Sequence, residues 1–153
     1  MPYLLDTGVL LRLFDRSDPS HIPIRQAVIR LKVRGERLVT TAQNIAEFWN
    51  VSTRPATARG GYGLPAEEVE KRVAFIERFC GLLFDDASSY VQWKLLVSNH
   101  RISGVAVHDA RIAALMIRHG LTHLVTLNVD DFRRFSGIVP VTPDQVLASL
   151  KAT

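Results

Sequence analysis

The sequence is poor in the residues that staple or anchor small proteins. Its one cysteine, Cys80, has no partner, which excludes an intrachain disulfide and a cysteine-based metal site. In the apolar setting FCGLLF it reads as a small core residue. No run of about 18 apolar residues occurs, and no basic segment followed by a long apolar one opens the chain. Neither a membrane span nor a secretory leader is expected, and the protein is read as cytoplasmic. The histidines, His21, His100, His108, His119 and His123, show no metal-ligand spacing. Internal repeats and low-complexity tracts are missing too. Only TRPATARGGYGLP, residues 53–65, has linker character, and it reads as a long loop inside a single domain spanning residues 1–153.

What is present suffices for a packed core: 153 residues of which 47% are hydrophobic. The 19 Lys and Arg against 15 Asp and Glu leave a net charge of +4, a lean toward an acidic partner such as nucleic acid. Short apolar runs at Pro2–Asp6, Arg37–Thr41, His123–Asn128 and Gly137–Pro143 predict strands, the last at a sheet edge because of Pro140, and Leu82–Asp86 predicts another short one. Helical patterns cover Ile24–Arg34, Ala42–Val51, Ala66–Phe79, Ala87–Asn99 and Asp109–His119, the last opening at Asp109 as N-cap. Alternating strands and helices predict an α/β three-layer sandwich, with a central, mostly parallel sheet flanked by helices.

A carboxylate interrupts the apolar opening stretch YLLDTGVLL. Asp-Thr-Gly also marks aspartic proteases of the retroviral kind, but those pair two carboxylates in an all-β fold, and here the triplet occurs once in a helix-rich chain. A phosphoaspartyl Asp-x-Asp start is disfavoured, since Gly8 sits where the second aspartate would be required. What remains is an aspartate at the end of the first strand, where open α/β sheets place their ligand crevices. Further acids fall in equivalent places: Glu47 in TAQNIAEFWNV, Asp109 in VHDARIAALMIRHG, and the Asn128–Asp131 turn of LVTLNVDDFRRF. Each has a plain structural reading as well: Asp6 and Asp109 as helix caps, Glu47 on a solvent face, the turn as solvated polar residues. Taken together they fall on one sheet edge, where their mutual repulsion favours a divalent cation. An oxygen-only donor set suits Mg²⁺ or Mn²⁺, which can activate water for displacement at phosphorus.

The segments LLDTGVLL, AQNIAEFWNV, HDARIAALMIRHGLTHLVTLNVDDFRRF and IVPVTP together resemble the PIN domain, specifically the VapC-like toxins of bacterial toxin and antitoxin pairs. The resemblance covers essentially the whole chain. It implies a Mg²⁺-dependent ribonuclease acting on RNA, held as a homodimer and masked by a cognate antitoxin whose C-terminal segment lies in a groove over the active site. It also implies that Asp6, Glu47, Asp109 and Asp131 are catalytic, and that Asp6, Asp109, Asp131 and Asn128 hold metal. Two departures stand out: Gly8 where the family usually has asparagine, and Asn128 where it often has an acid. Both motivate an alternative, a catalytically degenerate PIN domain that binds RNA or a protein without cutting. An enzyme of the same fold acting on DNA flaps is a third reading. For RNA contacts, Arg54, Arg59 and Tyr62 of the long loop and Arg133 and Arg134 after the Asp-Phe pair are the candidates, through phosphate contacts and one stacking platform. His108 reads as structural. Val69, Val73, Ile76 and Phe79 repeat at helical spacing as core or partner-facing surface.

Overall fold

The computed structural model describes residues 1–151. Along the chain lie β1 (Pro2–Leu5), α1 (Thr7–Leu13), α2 (His21–Val33), β2 (Arg37–Thr41), α3 (Ala42–Thr53), α4 (Ala66–Phe79) and β3 (Gly81–Leu83). They are followed by α5 (Ala87–Asn99), α6 (Ala106–Arg118), β4 (His123–Val125), α7 (Val129–Phe132), β5 (Val139–Val141) and α8 (Pro143–Lys151). The strands form one sheet in the order β3-β2-β1-β4-β5, and every pairing is parallel.

Side-chain alternation along the strands divides the core in two. Tyr3, Leu5, Leu38 and Val125 face a cluster built with α1, α2, α3, α4 and Val146 of α8. Their neighbours Leu4, Val39 and Leu124 face the opposite cluster, with α5, α6 and Phe132. Helices therefore cover both faces, which is why the strands read as unbroken apolar runs. Leu4 and Leu5 are both fully buried, and each such side chain stabilises the fold by roughly 1.5–3 kcal/mol. Val69, Val73 and Ile76 turn out to be core, with Phe79 packed partly buried against it. Cys80 is buried as expected, and burial pushes its thiol up to about 12. None of the described helices is long and apolar enough to cross a membrane.

Several expected boundaries move. β1 ends at Leu5, and Asp6 becomes the N-cap of α1. The run expected from Leu82 to Asp86 is a strand only over Gly81–Leu83, and the one expected over His123–Asn128 stops at Val125. Asn128 instead caps α7, so the expected turn at Asp130 and Asp131 is a short helix. Asp109 is not the N-cap of its helix: Val105 holds that place, and Asp109 falls in the first turn. Helix α8 lies beyond the expected elements, beginning at Pro143, a residue preorganised for the first helical position. Pro140 sits on β5, which pairs only with β4 at the sheet edge.

Candidate active site

Strand order reverses at β1: the chain builds outward through β2 and β3, then returns to the other side of β1 as β4. In open parallel sheets the crevice outside the strand C-termini at such a reversal is the ligand site. Asp6 follows β1 directly, Glu47 lies in α3 after β2, and Asp131 lies in α7 after β4. The Gln43 amide donates to the His108 carbonyl at 3.1 Å, which brings the first turn of α6, and with it Asp109, to the same edge.

Asp6 is buried, and its backbone N–H donates to the Val125 carbonyl at 3.1 Å, anchoring it to β4. One carboxylate oxygen accepts from the Thr7 N–H (2.8 Å) and the Asn44 side-chain amide (3.3 Å). The other accepts from the Thr126 hydroxyl at 2.7 Å. That hydroxyl in turn accepts the Asn128 N–H at 3.0 Å, so the segment after β4 is tied to Asp6 through one oxygen. Burial pushes the Asp6 carboxyl above the usual carboxylate range, opposed by the bonds from Thr126, Thr7 and Asn44, while the Glu47 charge adds to the rise.

Glu47 is half-buried rather than on a solvent face; its oxygens accept from the Thr7 hydroxyl (2.7 Å) and the Gln43 amide (2.9 Å). Asp109 is half-buried, and Asp131 is exposed. Burial, then the charges of Asp131, Asp6 and Glu47, raise the Asp109 carboxyl to about 6, with Arg134 pulling it down. These carboxylates therefore act on one another across the edge, and Arg134 is within electrostatic reach of Asp109.

The donor set is entirely oxygen, which suits a hard divalent cation. No three His, Cys, Asp or Glu side chains converge into a ligand cage among the described residues. Mg²⁺ fits such an open edge, because it retains several waters and is held through one or two carboxylates. Beside Glu47, the buried Oε1 of Gln43 has no hydrogen-bond donor, an acceptor suited to cation-bound water.

The other sequence candidates are placed less closely. Asn128 is exposed, and its side chain makes no capping bond. Arg133 pairs with Asp130 at 2.8 Å, and with Asn128 and Asp131 it lines a polar pocket of about 390 Å³. Arg54 caps α3 and donates to the Arg59 carbonyl at 3.2 Å, about 10 Å along the helix axis from Glu47. Exposed Arg59 adopts a positive φ of 41°. Tyr62 is half-buried and packed against the core, and the Asp15 charge acts on its hydroxyl, so its ring is not a free stacking platform. His108 is exposed, and its carbonyl is the atom engaged at the site. Gly8 lies in α1 without a positive φ, and an added Cβ would meet only the Arg12 guanidinium at 3.4 Å and Leu127 at 4.0 Å. Glycine's conformational freedom is not what that position needs.

Sequence reasoning passed over Thr7, Gln43, Asn44 and Thr126. A signal existed for Asn44 alone: Thr41 and Asn44 have the spacing of a capping box, and they form one at the start of α3.

The PIN domain family model matches residues 3–138. No curated protein matches the chain. Among solved structures it is similar to the DNA-bound VapBC of Salmonella typhimurium, with 18% identity, a TM-score of 0.68, and coverage of 94% of this chain and 98% of that one. The VapBC2 of Rickettsia felis, bound to a promoter DNA fragment, gives 16% identity, a TM-score of 0.67, and coverage of 93% and 98%. VapC20 of Mycobacterium tuberculosis, described as a sarcin-ricin loop cleaving toxin, gives 16% identity, a TM-score of 0.62, and coverage of 89% and 98%. At these identities the likeness is one of fold.

Proposed function

The chain belongs to the PIN domain family, whose model spans residues 3–138, and from that premise we propose that it is a Mg²⁺- or Mn²⁺-dependent endoribonuclease, the toxin of a toxin–antitoxin pair. The observation that carries this reading is the Asp109 carboxyl, raised to about 6 in part by Asp131, Asp6 and Glu47. A set of acids that repel one another at the reversal point of a parallel sheet is what a divalent cation would relieve.

In this reading Asp6 and Asp109 hold the cation, with Asp131 or Asn128 completing its shell. When bound, it supplies Lewis-acid polarisation of the scissile phosphate and a more acidic water. The three donors to Asp6 favour its ionised form against the burial that raises its carboxyl. Glu47 accepts one bond on each oxygen and keeps lone pairs to orient, or take a proton from, the attacking water. Arg134, whose charge reaches Asp109, would pair with phosphate.

The test is a cleavage time course on structured RNAs with Mg²⁺, Mn²⁺ or EDTA, comparing wild type with Asp109→Asn. Metal-dependent cutting that disappears in the variant is expected. RNA binding without turnover, insensitive to EDTA, would instead support the degenerate binder, which Asn128, standing where the family often has an acid, motivates. Cutting of deoxy substrates in the same assay would move the reading to DNA.

The partner reading rests on a different surface. A groove of about 1220 Å³ between α2 and α4 is lined by apolar side chains including Phe14, Ile29 and Phe75 and by basic ones including Arg16, Arg25 and Lys71. It is far larger than the polar pocket beside Asp131 and contains none of the four acids. We assign it to an antitoxin segment with an apolar face and acidic flanks. A homodimer is assigned to the exposed Tyr90, Val91 and Leu95 of α5.

A further inference from the structure

We propose that Asn44 is a positioning residue of the carboxylate edge, one buried amide that fixes Asp6 directly and Glu47 through Thr7. The inference rests on the metal-dependent reading above and goes beyond it, because Asn44 would touch neither the cation nor the RNA.

Asn44 is fully buried at the third position of α3. Its side-chain oxygen accepts from both the Thr41 N–H (3.3 Å) and the Thr41 hydroxyl (2.7 Å). That arrangement decides which way the amide faces. Turned over, it would set its NH₂ against the Thr41 N–H and its oxygen against the Asp6 carboxylate, losing bonds at both ends. The NH₂ must therefore point at the acids, where it donates to Asp6 at 3.3 Å and to the Thr7 hydroxyl oxygen at 2.9 Å. Having accepted that bond, Thr7 directs its single proton to Glu47 at 2.7 Å. The hydrogen bonds run one way, from Thr41 through Asn44 and Thr7 to Glu47, with a branch to Asp6. Every bond that reaches a carboxylate is a donor bond, so the chain of contacts favours the ionised acids and holds both in fixed rotamers.

A second role, capping α3 through its backbone N–H to Thr41 at 3.0 Å, could by itself account for an asparagine here. The molecule supplies a control. Ser89 occupies the same third position in the capping box of α5 and is equally buried, but it bonds only Asp86. A purely structural role predicts that the two positions behave alike.

The experiment measures Mn²⁺ affinity by electron paramagnetic resonance, and the melting temperature, for wild type, Asn44→Ser, Thr7→Val and Ser89→Ala. Outer contacts of this kind typically change metal affinity by 10–100-fold. Asn44→Ser and Thr7→Val should weaken Mn²⁺ binding by about tenfold or more, while Ser89→Ala lowers the melting temperature and leaves the affinity at the wild-type value. Unchanged affinity in Asn44→Ser, or a loss that follows melting temperature equally in Ser89→Ala, overturns the positioning role and leaves the metal site standing. Absence of Mn²⁺ binding by wild type would bring down the metal reading itself, and this inference with it.

Discussion

A carboxylate as deeply buried as Asp6 needs donors, and the structure supplies them from α1, α3 and the loop after β4: Thr7, Asn44 and Thr126. Thr126→Val removes the hydroxyl between Asp6 and the Asn128 N–H and should destabilise the fold by about 1–3 kcal/mol, measured by urea denaturation. A cost near zero would mean that the two ends find other partners. Asp109 is shifted upward as well. Its folded pKa, about 6, lies above its ordinary 3.8, so the folded form holds its proton more tightly. Stability of the metal-free protein should therefore fall as pH rises from about 4 to about 6 and level off above, with Asp6 acting in the same direction. Asp109→Asn should flatten that slope and raise the melting temperature at pH 7 while abolishing cleavage. A variant melting below wild type in EDTA would contradict the repulsion. The acids were legible in the sequence because a charge breaks an apolar pattern. Thr126 and Asn44 were not, because threonine after a strand and asparagine in a helix are locally ordinary, and their common partner Asp6 lies 120 and 38 residues away.

At the scale of elements, legibility followed length and capping. Helices α4 and α5 occupy the expected spans, one with its apolar stripe buried at Val69, Val73 and Ile76, the other opening on the Asp86 and Ser89 capping box. Helix α7 escaped because VDDF is too short to show a period, and its polar residues satisfy turn preferences equally well. The strands were drawn too long because apolar character continues past the last ladder bond, as at Leu127. Asp86→Ala should lower the melting temperature, read by calorimetry, through loss of the bond from the Ser89 N–H that caps α5. The long loop is more ordered than its composition suggests: Tyr62 and Leu64 donate to the carbonyls of Val51 and Ser52. A Cβ on Gly61 would stand 2.5 Å from the Arg54 and Pro55 carbonyl oxygens. Gly61→Ala should therefore lower stability by roughly 1–3 kcal/mol, read as a melting shift of about 2–4 °C per kcal/mol in calorimetry. An unshifted transition would mean that the loop rearranges freely.

For the whole molecule, none of the four acids lines the α2–α4 groove, so in the reading proposed above catalysis and partner capture should be separable by mutation. Phe75→Asp adds an acid to the groove and should abolish antitoxin binding in a pull-down with the purified partner, with RNA cleavage retained; loss of both together would contradict the assignment. Leu95→Glu, on the exposed face of α5, should convert a dimer to a monomer in light scattering. The parallel sheet was legible from the alternation of elements, but the strand order was not, since no local pattern says that β4 returns to the far side of β1. That return sets a schedule. Asp6 leaves the ribosome early, yet the threonine that completes its setting is translated 120 residues later, a lag of about 6–24 s at ordinary synthesis rates. The setting of Asp6 is thus completed only once residue 126 has been made, so the cleavage proposed above would await most of the chain's own translation.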